Sequence, residues 1–374
     1  MTLYTILPIP NLLIHAFVLS PKKSTPFETN NKEDNVVVVG KIIIDDYHYR
    51  SPSSKKSKLT IGGGGPQAAW GAAAALATLT FSNTKEKEPP KQNVTLIAPI
   101  GRFTSKEHES LHQSIGPAIQ SIHLIQNTCY ETPRIQLWHD EEQNVQWKPI
   151  GDTWGSYGAD SLWDNRPSAN DILQTCNQSI SNLHVLCELG SESPGKGKDC
   201  MFLTNETLLQ NTNYIGIEPI AFPEENDGIL AISNNDIQSS KERLSKLLSN
   251  VDIIIPDSHL FDALQDYWNT TDIIARCGPN GSKIPYQNIT IPVATLETKN
   301  AKVVNPTGAG NAYSAALSTC RSKGLSLLES ACVATAIGAI VCEYENLPPW
   351  EWGVIERILR GALEVLKKVE FNLS

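Results

Sequence analysis

No two cysteines in this sequence are spaced C-x-x-C, and none falls with histidine at the spacing of a zinc site. A zinc module and a dithiol redox motif are both excluded. The eight cysteines, at 129, 176, 187, 200, 277, 320, 332 and 342, read instead as reduced thiols in a core. An excess of basic charge is missing as well. With 31 Lys and Arg against 40 Asp and Glu, the net charge of -9 argues against nucleic acid or an anionic membrane as a general partner. The apolar run over residues 1–20 is broken by Pro8 and Pro10, is too short to span a bilayer comfortably, and is followed by the polar PKKSTPFETNNKE. Residues 1–34 therefore read as an N-terminal extension of a cytoplasmic chain, disordered or packed on the surface, with organellar targeting by residues 1–30 as the alternative. Internal repeats and long low-complexity linkers are also absent, and 40% of the 374 residues are hydrophobic, enough for one large α/β domain or two ordinary ones.

From Asn35 the chain alternates buried strands with helices. VVVVG reads as a fully apolar strand that IIID continues, LTI as a short strand, and GGGGPQAAWGAAAALATL as an alanine-rich helix from about Pro66. VTLIAPIG (94–101), a helix over 106–120 and SIHLIQ (121–126) keep the rhythm. LHVLCELG (183–190), YIGIEPI (214–220) and VDIIIP (251–256) resume it. Such alternation predicts a parallel, doubly wound sheet. PRIQLWHDEEQNVQWKPI (133–150) breaks the pattern, alternating around DEEQN as a β-hairpin does, and helices are expected over 328–343 and 351–369.

The densest chemistry lies in NPTGAGNAYSAAL (305–317). Its glycines leave main-chain N–H groups open, and a following helix over 312–320 would aim its positive end at the same spot, so the stretch suits an anion such as phosphate. Other candidates are weaker. GSESPGKG (190–197) approaches a Walker A loop but ends in Gly197, and reads better as a surface loop. The tryptophans at 138, 147, 154 and 163 suit packing better than a ligand pocket. HDEE (139–142) sits at a hairpin tip, where solvated side chains are the rule, and gives no metal site.

The order of VVVVGKIIID (36–45), GGGGPQAAWG (62–71), VDIIIPD (251–257), ARCGPNGS (275–282) and NPTGAGNAYSAAL closely resembles the ribokinase, or PfkB-type, carbohydrate kinase family, over about residues 35–345. The resemblance implies a three-layer α/β/α sandwich with a central, mostly parallel sheet and a small β lid. One domain would cover residues 35–370, with lid segments at about 45–60 and 128–150. It implies ATP and Mg2+, with transfer of a phosphoryl group to a small polyhydroxylated substrate, a carbohydrate or nucleoside. By the same resemblance Asp45, at the end of the first strand, together with Gly62, Gly63 and Gln67 would bind the acceptor. Gly308, Ala309 and Gly310 would form the anion hole, and Gly278, Gly281, Ala334 and Gly338 would flank the nucleotide. A homodimer through the lid edge is a further implication.

The departures from the family pattern are specific. Asn311 stands where the family carries an aspartate that takes the proton from the attacking hydroxyl, and an amide cannot serve as that base. Asn311 also suits a helix cap. Asn305 replaces an aspartate linked to a monovalent-cation site, which puts K+ in doubt. The magnesium-linked N-x-x-E maps to Asp257-Ser258-His259-Leu260 and has lost its glutamate, leaving Asp257 to act on Mg2+ through water. GAGN in place of GAGD, with IIIDD and IEPI, resembles a eukaryotic branch of the family. Two readings follow. One is a slow ATP-dependent kinase; the other is a pseudokinase that binds nucleotide or sugar without turnover.

Overall fold

The computed structural model describes residues 35–48, 57–81, 88–139, 145–150, 167–176, 179–187, 201–219, 245–261, 271–295 and 303–373. Its strands are β1 (Asn35–Val39), β2 (Ile43–His48), β3 (Ser57–Gly62), β4 (Gln92–Arg102), β5 (Ile119–Glu131), β6 (Arg134–His139), β7 (Val145–Pro149), β8 (Ile180–Cys187), β9 (Ile215–Pro219), β10 (Ile253–Ile254), β11 (Asp272–Ile273), β12 (Ala275–Arg276), β13 (Ser282–Ile284) and β14 (Ile289–Ile291). The helices are α1 (Gly64–Leu79), α2 (Ser105–Ile115), α3 (Ala169–Thr175), α4 (Glu206–Gln210), α5 (Ser258–Phe261), α6 (Ala309–Ser322), α7 (Leu327–Cys342) and α8 (Trp352–Leu373).

The central sheet has seven strands in the order β11-β10-β9-β8-β1-β4-β5, and every pairing in it is parallel. β1 shows why the sheet is buried on both sides. Val36 and Val38 point into the core beneath α1, α6, α7 and α8, whereas Val37 and Val39 point into a second core with Ile172 of α3, Leu208 of α4 and Leu260 of α5. The result is the three-layer α/β/α sandwich that the ribokinase resemblance implies. Strand order runs outward in both directions from the β1–β8 pair, so the carboxyl ends of those two strands open a crevice.

VVVVGKIIID is not one strand. The chain leaves the central sheet after Val39, bends at Gly40–Ile42 and re-enters as β2 of a separate four-stranded sheet, ordered β3-β2-β6-β7. Asp45 therefore lies on β2, not at the end of the first strand. The bend is tight: a Cβ on Gly40 would come within 2.5 Å of the Gly65 Cα, and the Gly65 amide donates to the Lys41 carbonyl over 2.9 Å. β6 and β7 form the antiparallel hairpin read in the sequence. GSESPGKG lies outside the described residues.

Cys187 is disulfide-bonded, which corrects the reading of all eight cysteines as reduced thiols. Cys129, Cys176, Cys277, Cys320, Cys332 and Cys342 are free. Among the described residues no helix is long and apolar enough to cross a membrane.

Candidate active site

Three chain segments converge on the amino end of α6. The helix begins earlier than its sequence pattern indicates, at Ala309, because Gly308 takes the left-handed conformation (φ 82°) that starts the turn. Gly308 is the N-cap residue and Asn311 is the third residue of the helix, so Asn311 is not the cap. Its side-chain Nδ2 instead donates to Oε1 of Glu218 over 2.9 Å. Glu218, the penultimate residue of β9, is 1% exposed and accepts through the same oxygen from Nη1 of Arg276. Arg276 Nη2 pairs with Asp257 over 3.1 Å. His184 on β8, fully buried, holds Nε2 at 3.7 Å from Glu218 Oε2, too far for a hydrogen bond.

One guanidinium stands between two carboxylates in this cluster. Burial by itself would raise the Glu218 pKa, but the Arg276 guanidinium, with His184 behind it, brings it below the ordinary value. Burial would likewise lower Arg276, and Glu218 and Asp257 together overcome it. Glu218 is thus ionised near neutral pH. The guanidinium lies beside the anion loop, since a Cβ on Gly310 would come within 2.7 Å of Nη1. Near Asn311 the backbone of Gly64 approaches so closely that a Cβ there would stand 2.8 Å from Nδ2.

On the other side of the helix end are the residues expected to bind the acceptor. A Cβ on Gly308 would overlap the Gln67 side chain, and one on Gly62 would overlap Asp45 Oδ2, so each glycine is where a side chain must approach backbone. Asp45 and Gln67, 6% and 8% exposed, line one cavity of about 30 Å³ with Gly62, Asn305 and Thr307. Asp45 Oδ1 and Gln67 Oε1 are buried without a hydrogen-bond partner. Buried acceptors are rarely left so, and two in one cavity point to a ligand with hydroxyl or amine donors. Burial pushes the Asp45 carboxyl up to about 8.

The remaining expected residues spread around this centre. Gly63 (φ 80°) is the N-cap of α1 and packs on the backbone of Lys41 and Ile43. Gly278 and Gly281 bound the short turn between β12 and β13, two residues beyond Arg276 in the case of Gly278. Gly338 of α7 lies 3.5 Å, measured from an added Cβ, from the Ala309 carbonyl, and Ala334 is fully buried in the helical core. Asn305 is engaged on both sides: Oδ1 accepts from the Thr307 amide over 3.0 Å within its own loop, and Nδ2 donates over 3.0 Å to the Glu345 carbonyl beyond α7.

The sequence reading missed Glu218, Arg276 and His184. Glu218 and His184 stand alone among apolar residues, in GIEPI and LHVLC, and Arg276 follows the apolar IIA of IIARC. An ionisable residue there must be buried, and buried charges need partners.

Residues 224–349 match the pfkB family carbohydrate kinase model, a span that includes Asp257, Arg276 and the whole 305–317 stretch. Over that segment the chain is similar to the ribokinase/PfkB-type carbohydrate kinases. A nucleoside kinase of Methanocaldococcus jannaschii is 29% identical over 134 residues, 32% of this chain and 43% of that relative, so the match spans less than half of the relative's length. The crystal structure of a nucleoside kinase from the same organism, described as an archaeal member of the ribokinase family, superposes with a TM-score of 0.55 at 19% identity, covering 88% of this chain and 99% of that one. A putative ribokinase II from E. coli gives 0.60 at 14% identity over 87% and 99%, and Arabidopsis thaliana ribokinase, complexed with ribose and ATP, 0.53 at 13% over 90% and 99%. At these identities the structural likeness establishes the ribokinase fold.

Proposed function

We propose that this ribokinase/PfkB-type protein transfers the γ-phosphoryl group of ATP to a hydroxyl of a small carbohydrate or nucleoside, and does so slowly. The observation that carries the reading is the pair of unpartnered buried acceptors, Asp45 Oδ1 and Gln67 Oε1, set against the amino end of α6 through the Gly308–Gln67 contact. An acceptor hydroxyl held by Asp45 and Gln67 would face the anion loop of Gly308, Ala309 and Gly310. Among the described residues the amides of Gly310 and Asn311 take no backbone acceptor, which leaves them for charge on the transferred phosphoryl.

Family likeness supports the nucleotide and the metal. One solved neighbour holds ribose and ATP, and another, a putative ribokinase II, holds ATP and Mg2+. In this chain Asp257 fits a nucleotide-borne magnesium. Its carboxylate is half exposed and gives one oxygen to Arg276, while phosphates and water would supply most ligands of that ion. Bound Mg2+ would supply neutralisation of phosphate charge. Nucleotide contacts are assigned to Gly278 and Gly281, whereas Ala334 and Gly338, both buried in α7, would support that site only from behind. Potassium is not part of the proposal, because both ends of the Asn305 amide are already engaged. The edges of the small sheet, β3 and β7, would be the surface for a homodimer.

Phosphoryl transfer relies mainly on positioning and electrostatics, and a general base contributes about 10²- to 10⁴-fold. Losing the base slows such a site without abolishing it. The alternative, a binding protein without turnover, is favoured by one observation, the commitment of the Asn311 amide to Glu218. A phosphotransfer assay on a panel of sugars and nucleosides, with products read by mass spectrometry, tests the proposal. A phosphorylated product supports it, whereas ATP binding without product from any acceptor selects the pseudokinase.

A further inference from the structure

Asparagine side chains present a donor and an acceptor from one carbon, and which of them faces a ligand depends on what fixes the other. At Asn311 the chemistry leaves no choice. An ionised carboxylate only accepts, so the group within 2.9 Å of Glu218 Oε1 must be the NH2. Nothing among the described residues donates to Asn311 Oδ1, and that carbonyl oxygen is left to accept from a ligand. The same Glu218 oxygen holds Arg276 Nη1, which stands beside Gly310. One buried carboxylate therefore sets two side chains on either flank of the anion loop.

We infer that Glu218 is a positioning residue for phosphoryl transfer: it turns Asn311 so that Oδ1 receives the attacking hydroxyl's proton as a hydrogen bond, and it holds Arg276 beside the anion loop where the transferred phosphoryl group sits. The inference rests on the phosphotransfer reading. It gives Asn311 the orienting half of an aspartate's task; as the ester bond forms and the bond to ADP breaks, the hydroxyl's proton passes to an oxygen of the transferred phosphoryl group and from there to water. It also accounts for a carboxylate buried at the carboxyl end of β9, at the rim of the sheet where a ligand would be met.

Glu218→Gln tests this in the full-length chain. The introduced amide can present either an oxygen or an NH2 to Asn311, so the Asn311 side chain is no longer held one way. The expected result is a fall in kcat of about 10- to 100-fold, the scale of a misplaced reacting group. ATP affinity is kept or increased, because a negative charge beside the anion loop has gone. In an Asn311→Ala background the same exchange should cost clearly less than in the parent, because one of the two side chains through which Glu218 acts is absent and only its hold on Arg276 remains. Equal losses in both backgrounds, or a loss confined to ATP affinity and melting temperature, would assign Glu218 to stability alone and overturn the inference. If Glu218→Gln does not fold, Glu218→Asp keeps the charge against Arg276 but withdraws the carboxylate by one methylene, and the same comparison applies. A readout independent of turnover is the 15N side-chain resonance of Asn311, assigned by its loss in Asn311→Ala. It should shift in Glu218→Gln, and an unmoved resonance overturns the positioning claim. Absence of product from wild-type protein with a shifted resonance would instead defeat the phosphotransfer reading while leaving the Glu218–Asn311 contact in place.

Discussion

Asn311→Asp, which introduces the aspartate of the PfkB-type pattern that this stretch resembles, should not by itself speed the reaction. The new carboxylate would stand where Nδ2 now lies, 2.9 Å from Glu218 Oε1. At an effective dielectric of about 20, two unit charges at that distance repel by about 6 kcal/mol. Protonating an ordinary aspartate at pH 7 costs about 4 kcal/mol, so the pair lowers its energy by taking up one proton and sharing it. Arg276 softens the repulsion, yet it is already divided between Glu218 and Asp257. The shared proton leaves a hydrogen bond between the two carboxyls in place of the one lost. Asn311→Asp should therefore be less stable than the parent by about 5–6 kcal/mol at pH 8, the cost of holding that proton there, and by only about 1–2 kcal/mol at pH 5. Its kcat, followed by coupled ADP release, should not exceed the parent's at pH 7. Adding Glu218→Gln removes the second charge and supplies an amide donor to the new aspartate, and the double variant should gain about 10²- to 10⁴-fold over Asn311→Asp. A gain of 10²-fold or more in Asn311→Asp alone, at unchanged stability, would refute this reasoning.

Three further outcomes are expected. Gly62→Ala drives a methyl group into Asp45 Oδ2 and should weaken acceptor binding by about 10- to 100-fold while calorimetric ATP affinity holds; equal loss of both would mean general misfolding. Asp45 titrates in the folded protein at about 8 against an ordinary 3.8, so its folded form holds the extra proton between those values. Stability from this group is complete below about pH 4 and falls as pH rises towards 8, and Asp45→Asn should flatten the melting-temperature profile of ligand-free protein between pH 5 and 8. An unchanged slope would contradict the burial argument. Gly71→Ala pushes a Cβ onto the Ala312 carbonyl where α1 crosses α6, and should cost about 1–3 kcal/mol in denaturant unfolding; a neutral result would mean that the two helices separate freely.

How much of this was legible beforehand depended on whether the signal was local. The VVVVG run, the IGGGG step and the alternation in PRIQLWH each show their structure in a few residues, and the family order of motifs adds the sandwich. The break at Gly40–Ile42 was hidden because both halves of VVVVGKIIID are equally apolar, and only the bend sends them to different sheets. The start of α6 was misplaced by three residues because Gly308, Ala309 and Gly310 were read as loop for their ligand-binding character, although Gly308 alone carries the left-handed turn. The Glu218 cluster draws on three strands, a loop and a helix, separated by up to 127 residues from His184 to Asn311, and no spacing rule connects them. The free thiol at Cys187 was a compositional expectation, and the disulfide there overrides it.

Slow phosphotransfer is tested most directly with full-length protein, Mg2+ and γ-labelled ATP, titrated for nucleotide binding and assayed for label transfer to a sugar and nucleoside panel, wild type beside Gly310→Val. The expected result is slow appearance of a labelled phosphate ester with the wild type, and loss of both ATP affinity and product when a side chain is forced onto Arg276 at Gly310. Tight ATP binding by the wild type with no labelled ester from any acceptor, or product undiminished in Gly310→Val, would contradict it.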